Sequence, residues 1–255
     1  MLIIISPAKR LDLTIHAGIQ KFSQPGLISH AAELMALLKT YSPAQIGSLL
    51  QVSDQLAILN AERCAVWSSH GNAENAKQAA FAYDGDVYRG MEAATLDSFQ
   101  IDYAQSHIRI LSGLYGILRP LDLIQPYRLE MGTKLPNPAG NDLYAFWSSA
   151  VTDVINRELE RQRSDVLINL ASDEYYRVID SKRLKARVIT PIFQQWKNGK
   201  WKIIPIHAKR ARGLMARFAA VNGIVDAEHL KAFDSEGYAF NRDASSDSRW
   251  IYCRR

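Results

Sequence analysis

The chain is expected to fold as a mixed α/β protein, and three observations carry that expectation. Leu2 to Ile5 and Val166 to Leu170 are short, almost wholly apolar runs rich in β-branched residues, as strands buried on both faces require. Between them lie stretches whose apolar residues recur every three to four positions, the period of a helix packed along one side. Towards the C-terminal end, Asn198-Gly199 separates two runs of strand formers, the strongest short signal for a β-hairpin.

The first strand stops at Ser6-Pro7, and the loop beyond it presents Ser6, Lys9, Arg10 and Asp12 where α/β sheets usually place ligands. Helical spacing of Ala32, Met35 and Leu38 predicts a helix over 29–39, and Ser42-Pro43 opens a helical hairpin over 42–65, interrupted at Ser53-Asp54. A short helix is expected over 74–83, followed by an Asp84-Gly85-Asp86 turn. Ile101, Ala104, Ile108 and Leu111 share one helical face, which predicts a helix over 100–111.

Leu111 to Gly132 then mixes glycine, proline, apolar residues and isolated charges, and reads as an extended, largely buried core segment. Arg119, Asp122 and Arg128 lie among Leu, Ile and Tyr, where an unpaired charge is costly, so they must pair or face a wet cleft. A helix is predicted over 142–163, preceding the second buried strand as in a parallel crossover. That strand empties into Ala171-Ser172-Asp173-Glu174, so two polar loops should converge at one edge of the sheet.

The hairpin pairs 188–196 with 200–207, with Pro191 and Pro205 read as edge or bulge positions. Trp196 and Trp201 stand beside Lys197, Lys200 and Lys202, a mixture that fits either ribbon packing or base stacking with phosphate contact. A basic helix over 208–221, a break at Asn222-Gly223 and a restart at Asp226 outline a helix-hairpin-helix over 208–233. A last strand is expected over 250–253, and with no linker or repeat the chain reads as one domain, 1–255.

At 255 residues, 47% hydrophobic and 22% charged, the chain is long enough for a sizeable core and is not compositionally disordered. No apolar run reaches the length of a membrane span, so no membrane association and a cytoplasmic location are expected. Two cysteines, Cys64 and Cys253, are too few for a disulfide framework. The six histidines, His16 among them, show no metal-ligand spacing, so neither metal nor cofactor is expected. Net charge is +5, but Tyr176 to Arg217 holds twelve Lys and Arg against the single acid Asp180, a window of +11 that leaves the remainder at −6. Such asymmetry points to a polyanionic partner.

Ser6 and Lys9 fit the S-x-x-K spacing of serine acyl-enzymes, but here the serine ends a strand and no KTG partner follows. Asp173, Glu174 and Glu236 are candidate proton carriers for an enzyme acting on a small anionic or phosphorylated molecule.

The blocks LIIISPAK (2–9), GDVY (85–88), LSGLYGILRPLDLIQPYRLEMG (111–132), NLASDEY (169–175), KRARGLMARF (209–218) and SEGY (235–238) resemble the YaaA peroxide-stress family. The resemblance runs from Met1 to about Tyr252. It implies a cytoplasmic protein that limits oxidative damage under hydrogen peroxide, associated with low free iron, with a single-domain fold, a basic cleft and a helix-hairpin-helix-like element. It also implies DNA binding and transfers no catalytic residue. The expected DNA-contacting residues are Lys9, Arg10, Arg119, Arg128, Lys209, Arg210, Arg212 and Arg217, holding duplex DNA without base preference.

Overall fold

A computed structural model describes residues 1–14 and 21–255. His16 lies outside the described residues. The centre is a mixed sheet of, among the described residues, eight strands: β1 (Leu2–Ile5), β2 (Ile108–Ser112), β3 (Gly116–Leu118), β4 (Val166–Leu170), β5 (Arg187–Lys197), β6 (Lys200–Lys202), β7 (Ala239–Phe240) and β8 (Arg249–Arg254). Their order is β7-β8-β5-β4-β1-β2-β3, with β6 paired to β5.

β1 sits between two parallel neighbours, Ile3 aligned with Ile108 of β2 and with Ile168 of β4. Every residue of β1 and β4 is buried, as parallel strands covered on both faces must be. The expected convergence follows from that pairing. The loops leaving β1 and β4 meet, with the Ser172 amide donating to Ser6 Oγ at 2.9 Å and the Ser6 hydroxyl to Ser172 Oγ at 3.3 Å.

Helix α1 (Ile28–Leu38) buries Ala31, Leu34, Met35 and Leu38. Helices α2 (Pro43–Leu50) and α3 (Asp54–Val66) form the expected hairpin, and a Ser42–Gln45 capping box starts the first of them. Residues 74–83 do not form one helix. Lys77–Gln78 pairs with Leu123–Ile124, α4 (Ala79–Ala82) makes a single turn, and Tyr83–Asp84 pairs with Arg10–Leu11. The Asp84-Gly85-Asp86 turn is the start of α5 (Asp86–Met91).

Helix α6 (Ser98–His107) ends earlier than its spacing predicts, because Ile108 to Ser112 is buried on every side and joins the sheet as β2. Leu111 to Gly132 is an extended and mostly buried segment, as expected. Gly116 has φ +70°, and a Cβ there would lie 2.7 Å from the ring of Trp147, so both backbone and space require glycine. Trp147 itself lies fully buried on α7 (Leu143–Arg161) and donates from Nε1 to Gly113 O at 2.8 Å.

The short helix α8 (Asp173–Tyr176) follows β4. The hairpin forms at Asn198-Gly199, but β6 ends at Lys202 because Pro205 takes the first turn of α9 (Pro205–Val221). Pro191 lies opposite Trp250 of β8 on one side, and the pairing with β4 on the other side ends at Ile189, so Pro191 is paired on one side only, as an edge position is. Trp196 and Trp201 are cross-strand partners, edge to face at 5.1 Å, with both rings partly exposed. After α9 the chain turns at Gly223 and continues as a 3₁₀ segment, Ala227–Ala232. Of the two helix–turn–helix outlines, the pair of true α-helices is therefore α2–α3, not 208–233.

Candidate functional site

A cleft of about 430 Å³ opens where the β1 and β4 loops meet. Its walls come from Ser6 to Arg10, Asp84 to Tyr88 at the start of α5, Tyr127 to Glu130, Ser172, Glu174 and Tyr175, and Lys209 and Arg212 of α9; Asp173 is not among them. A shallower pocket shares Lys9, Arg128, Glu130 and Glu174 with it and continues past Lys134 to Ser48–Gln51, where α2 ends.

Two helices are pressed together to bring these walls close. A Cβ on Gly90 of α5 would lie 2.3 Å from Arg210 O, and one on Gly213 of α9 would lie 1.8 Å from Val87 O. Only glycine at both positions lets the backbones touch. Polar residues reinforce the crossing from its far side, where Arg210 donates to Arg89 O and Arg217 to Met91 O and Glu92 O, capping the end of α5.

Helix phase thus separates the four basic residues of α9. Lys209 and Arg212, one turn apart, line the cleft, whereas Arg210 and Arg217, two turns apart, face α5. Arg210 also meets Glu236 at 2.6 Å, and Glu236 meets Arg254 at 3.2 Å, so the Glu236 carboxylate is held between two guanidiniums outside the cleft lining.

Arg119 is likewise absent from the cleft lining. Its guanidinium reaches Asp122 at 2.9 Å and Gln24 O at 3.0 Å. Asp122, 1% exposed, also accepts from Ser23 Oγ at 2.6 Å and the Arg119 amide at 2.8 Å. This is a structural bridge, its Asp122 end buried and its Arg119 end partly exposed, that pins an irregular crossing.

The remaining cations share the cleft with carboxylates. Lys9 and Arg128 both approach Glu130, at 3.2 and 3.3 Å, and Arg10 reaches Asp84 at 2.8 Å. Glu174 accepts from the Gly132 amide at 3.1 Å. Asp173 lies near enough to Arg212 to favour its charged form, while burial, the larger influence, lowers that guanidinium's pKa. Among the described residues, neither Lys209 nor Arg212 forms an ion pair or hydrogen bond. On α3, Arg63 has its pKa lowered by burial and then by the like charge of Arg128.

The cleft floor is aromatic. Tyr88 donates to Ser6 O at 3.0 Å, Tyr127 lies 2.6 Å from both the Tyr83 and Ser112 hydroxyls, and Tyr175 is buried beside them. Burial raises the pKa of Tyr88, Tyr127 and Tyr175, so all three stay neutral donors at ordinary pH. Sequence reasoning did not single out these tyrosines, nor Asp84, as site residues. The signal was present, since Tyr88 and Tyr175 end the blocks GDVY and NLASDEY, and Tyr127 lies within 111–132.

Among the described residues no three His, Cys, Asp or Glu side chains group as a metal site, and no helix is long and apolar enough to cross a membrane. The chain matches the family model described as peroxide stress protein YaaA over residues 1–244. It is 56% identical to a UPF0246 protein of Janthinobacterium sp. (strain Marseille) and 54% identical to one of Ralstonia nicotianae, each over all of this chain and 99% of the relative. A UPF0246 protein of Neisseria meningitidis serogroup B is 53% identical over all of this chain and 98% of its own length. With the family model spanning nearly its whole length and relatives matched end to end above half identity, the chain belongs to the YaaA family of peroxide stress proteins.

Proposed function

We propose that the protein acts in the cytoplasm under hydrogen peroxide stress by binding duplex DNA through its backbone, without base preference. The observation that carries this reading is the convergence of Lys9, Arg10, Arg128, Lys209 and Arg212 on one concave face. The second pocket extends that face to the turn between α2 and α3, which takes the role of the helix-hairpin-helix element.

The cleft is not uniformly basic, because Asp84, Asp86, Glu130 and Glu174 line it too. Three of its cations are already paired, but Lys9 and Arg10 are 69% and 75% exposed. Exposed ion pairs contribute only about 0–1 kcal/mol, so these side chains exchange a carboxylate for a phosphate at little cost. Fluorescence anisotropy with labelled duplexes of unrelated sequence tests the reading. Similar affinities that fall steeply between low and moderate salt are expected, with a large loss when Lys9, Arg128, Lys209 and Arg212 are replaced together by Gln. Salt-insensitive binding, or none, contradicts it.

A second reading, an enzyme acting on a small anionic molecule, is favoured by Glu174 and Arg128 lining the same cleft. It requires turnover that Glu174→Gln abolishes. Limiting free iron belongs to the same proposed role, and an iron titration giving tight stoichiometric binding would reassign it to direct sequestration.

A further inference from the structure

Among the described residues, Lys209 and Arg212 are the cleft's two cations without an ion pair or hydrogen bond, and they stand one helical turn apart on α9. The two serine hydroxyls at the strand ends line the same cleft. Ser6 Oγ accepts the Ser172 amide and donates to Ser172 Oγ, which leaves the Ser172 proton without an acceptor among the described residues. Two positive charges and an uncommitted hydroxyl therefore share a half-buried space whose apolar and aromatic walls are Val87, Tyr88, Tyr127, Leu129 and Tyr175, with the ion-paired Lys9, Arg10 and Arg128 and the carboxylates Asp84, Asp86, Glu130 and Glu174 completing the lining.

A duplex reaches these groups with its internal phosphates only from the mouth of the cleft and does not fill the space beneath them. Its phosphates lie on the outside of a wide rod, and they meet the exposed rim at Lys9 and Arg10 before the half-buried Arg212. A cavity of about 430 Å³ is the size of a small-ligand site, large enough for one nucleotide. Charge points the same way, because a phosphomonoester carries about −1.5 to −2 at pH 7, matching two cations, whereas a diester carries about −1. The aromatic and apolar walls supply a surface for a sugar and base.

We propose that the cleft floor is a binding site for the phosphomonoester of a single nucleotide, either free or at the end of a nucleic-acid strand, held by Arg212, Lys209 and Ser172. The proposal deepens the DNA-backbone reading and rests on it for the choice of a nucleotide.

The test compares ligands that differ only in the terminal phosphate. Isothermal titration is run with a deoxynucleoside 5′-monophosphate, the nucleoside and inorganic phosphate, and anisotropy with 5′-phosphorylated and 5′-hydroxyl oligonucleotides. The monophosphate is expected to bind at least about tenfold tighter than the nucleoside or inorganic phosphate. Arg212→Gln should remove that advantage and Arg212→Lys should keep part of it. If melting shows that Arg212→Gln fails to fold, the exposed Lys209→Gln carries the same expectation. Affinity should also weaken below about pH 6, where the phosphomonoester takes up its second proton. A tighter phosphorylated oligonucleotide assigns the site to strand ends, and a tighter monophosphate assigns it to free nucleotides; both support it. Equal binding of inorganic phosphate, or no effect of the terminal phosphate while salt-sensitive duplex binding persists, overturns the proposal and leaves the DNA reading standing. Loss of duplex binding with nucleotide binding intact overturns only the DNA reading.

Discussion

Replacing Gly213 by alanine should loosen the crossing that builds the cleft. The new Cβ would lie 1.8 Å from Val87 O, against about 3.4 Å for an ordinary contact, so α5 and α9 must separate by roughly 1.6 Å at this point. The obstacle is backbone, which has no rotamer to escape into, so the cost belongs at or above the upper end of the roughly 1–3 kcal/mol typical of overpacking. Taking about 3 kcal/mol and about 2–4 °C per kcal/mol for a chain of this size, the melting temperature should fall by about 6–12 °C. Differential scanning calorimetry measures this directly, with Gly26→Ala as control because no atom lies within 4 Å of its Cβ position. That control should be neutral or stabilise by up to about 1 kcal/mol. If Gly213→Ala melts with the control, the close crossing is not what holds Lys209 and Arg212 against the β1 loop.

Arg119→Gln should lower stability by about 2 kcal/mol, because Asp122 stays buried with fewer donors, yet leave duplex affinity within about twofold. A large loss of DNA binding without destabilisation would return Arg119 to the interface. Glu158→Leu strips the buried Arg109 of its 2.7 Å partner and should cost about 3 kcal/mol in urea unfolding; a cost under about 1 kcal/mol would show that Arg109 finds water or another acceptor. His107 has its pKa lowered below 6.5, chiefly by burial. As pH falls from 6.5 towards the folded value, the unfolded chain binds the proton first, so stability is full above 6.5 and declines through that window. His107→Gln should flatten that decline in denaturation midpoints, and an unchanged slope would assign it to other groups.

The sheet's centre was legible because its strands announce themselves by composition: Leu2 to Ile5 and Val166 to Leu170 have no polar face to hide. From there the meeting of the two serine loops follows by topology. Elsewhere local periodicity misled. Ile101, Ala104, Ile108 and Leu111 keep helical spacing across a junction where the chain passes from α6 to β2, and only complete burial of 108–112 distinguishes the strand. Gly85 looks like a turn residue and instead precedes α5, because the turn signal and a helix start share the same residue types.

For the site, charge alone grouped Lys209, Arg210, Arg212 and Arg217, although the helical repeat already places 209 and 212 on one face and 210 and 217 on another. Arg119 and Arg128 look alike in sequence. They part company because Arg119 finds Asp122 three residues on, inside the core, whereas Arg128 meets Glu130 at the cleft.

The central claim is that phosphates displace carboxylates at the cleft cations, and the salt dependence of duplex affinity tests it most directly. The slope of log affinity against log salt counts the phosphates contacted, at about 0.9 per contact. Replacing Lys9, Arg128, Lys209 and Arg212 by Gln should reduce the slope's magnitude by about 3–4, whereas replacing Arg119, Arg210 and Arg217 by Gln should leave it unchanged, provided each variant melts cooperatively. A slope altered by the second set and not the first would place the DNA on another face and contradict the account.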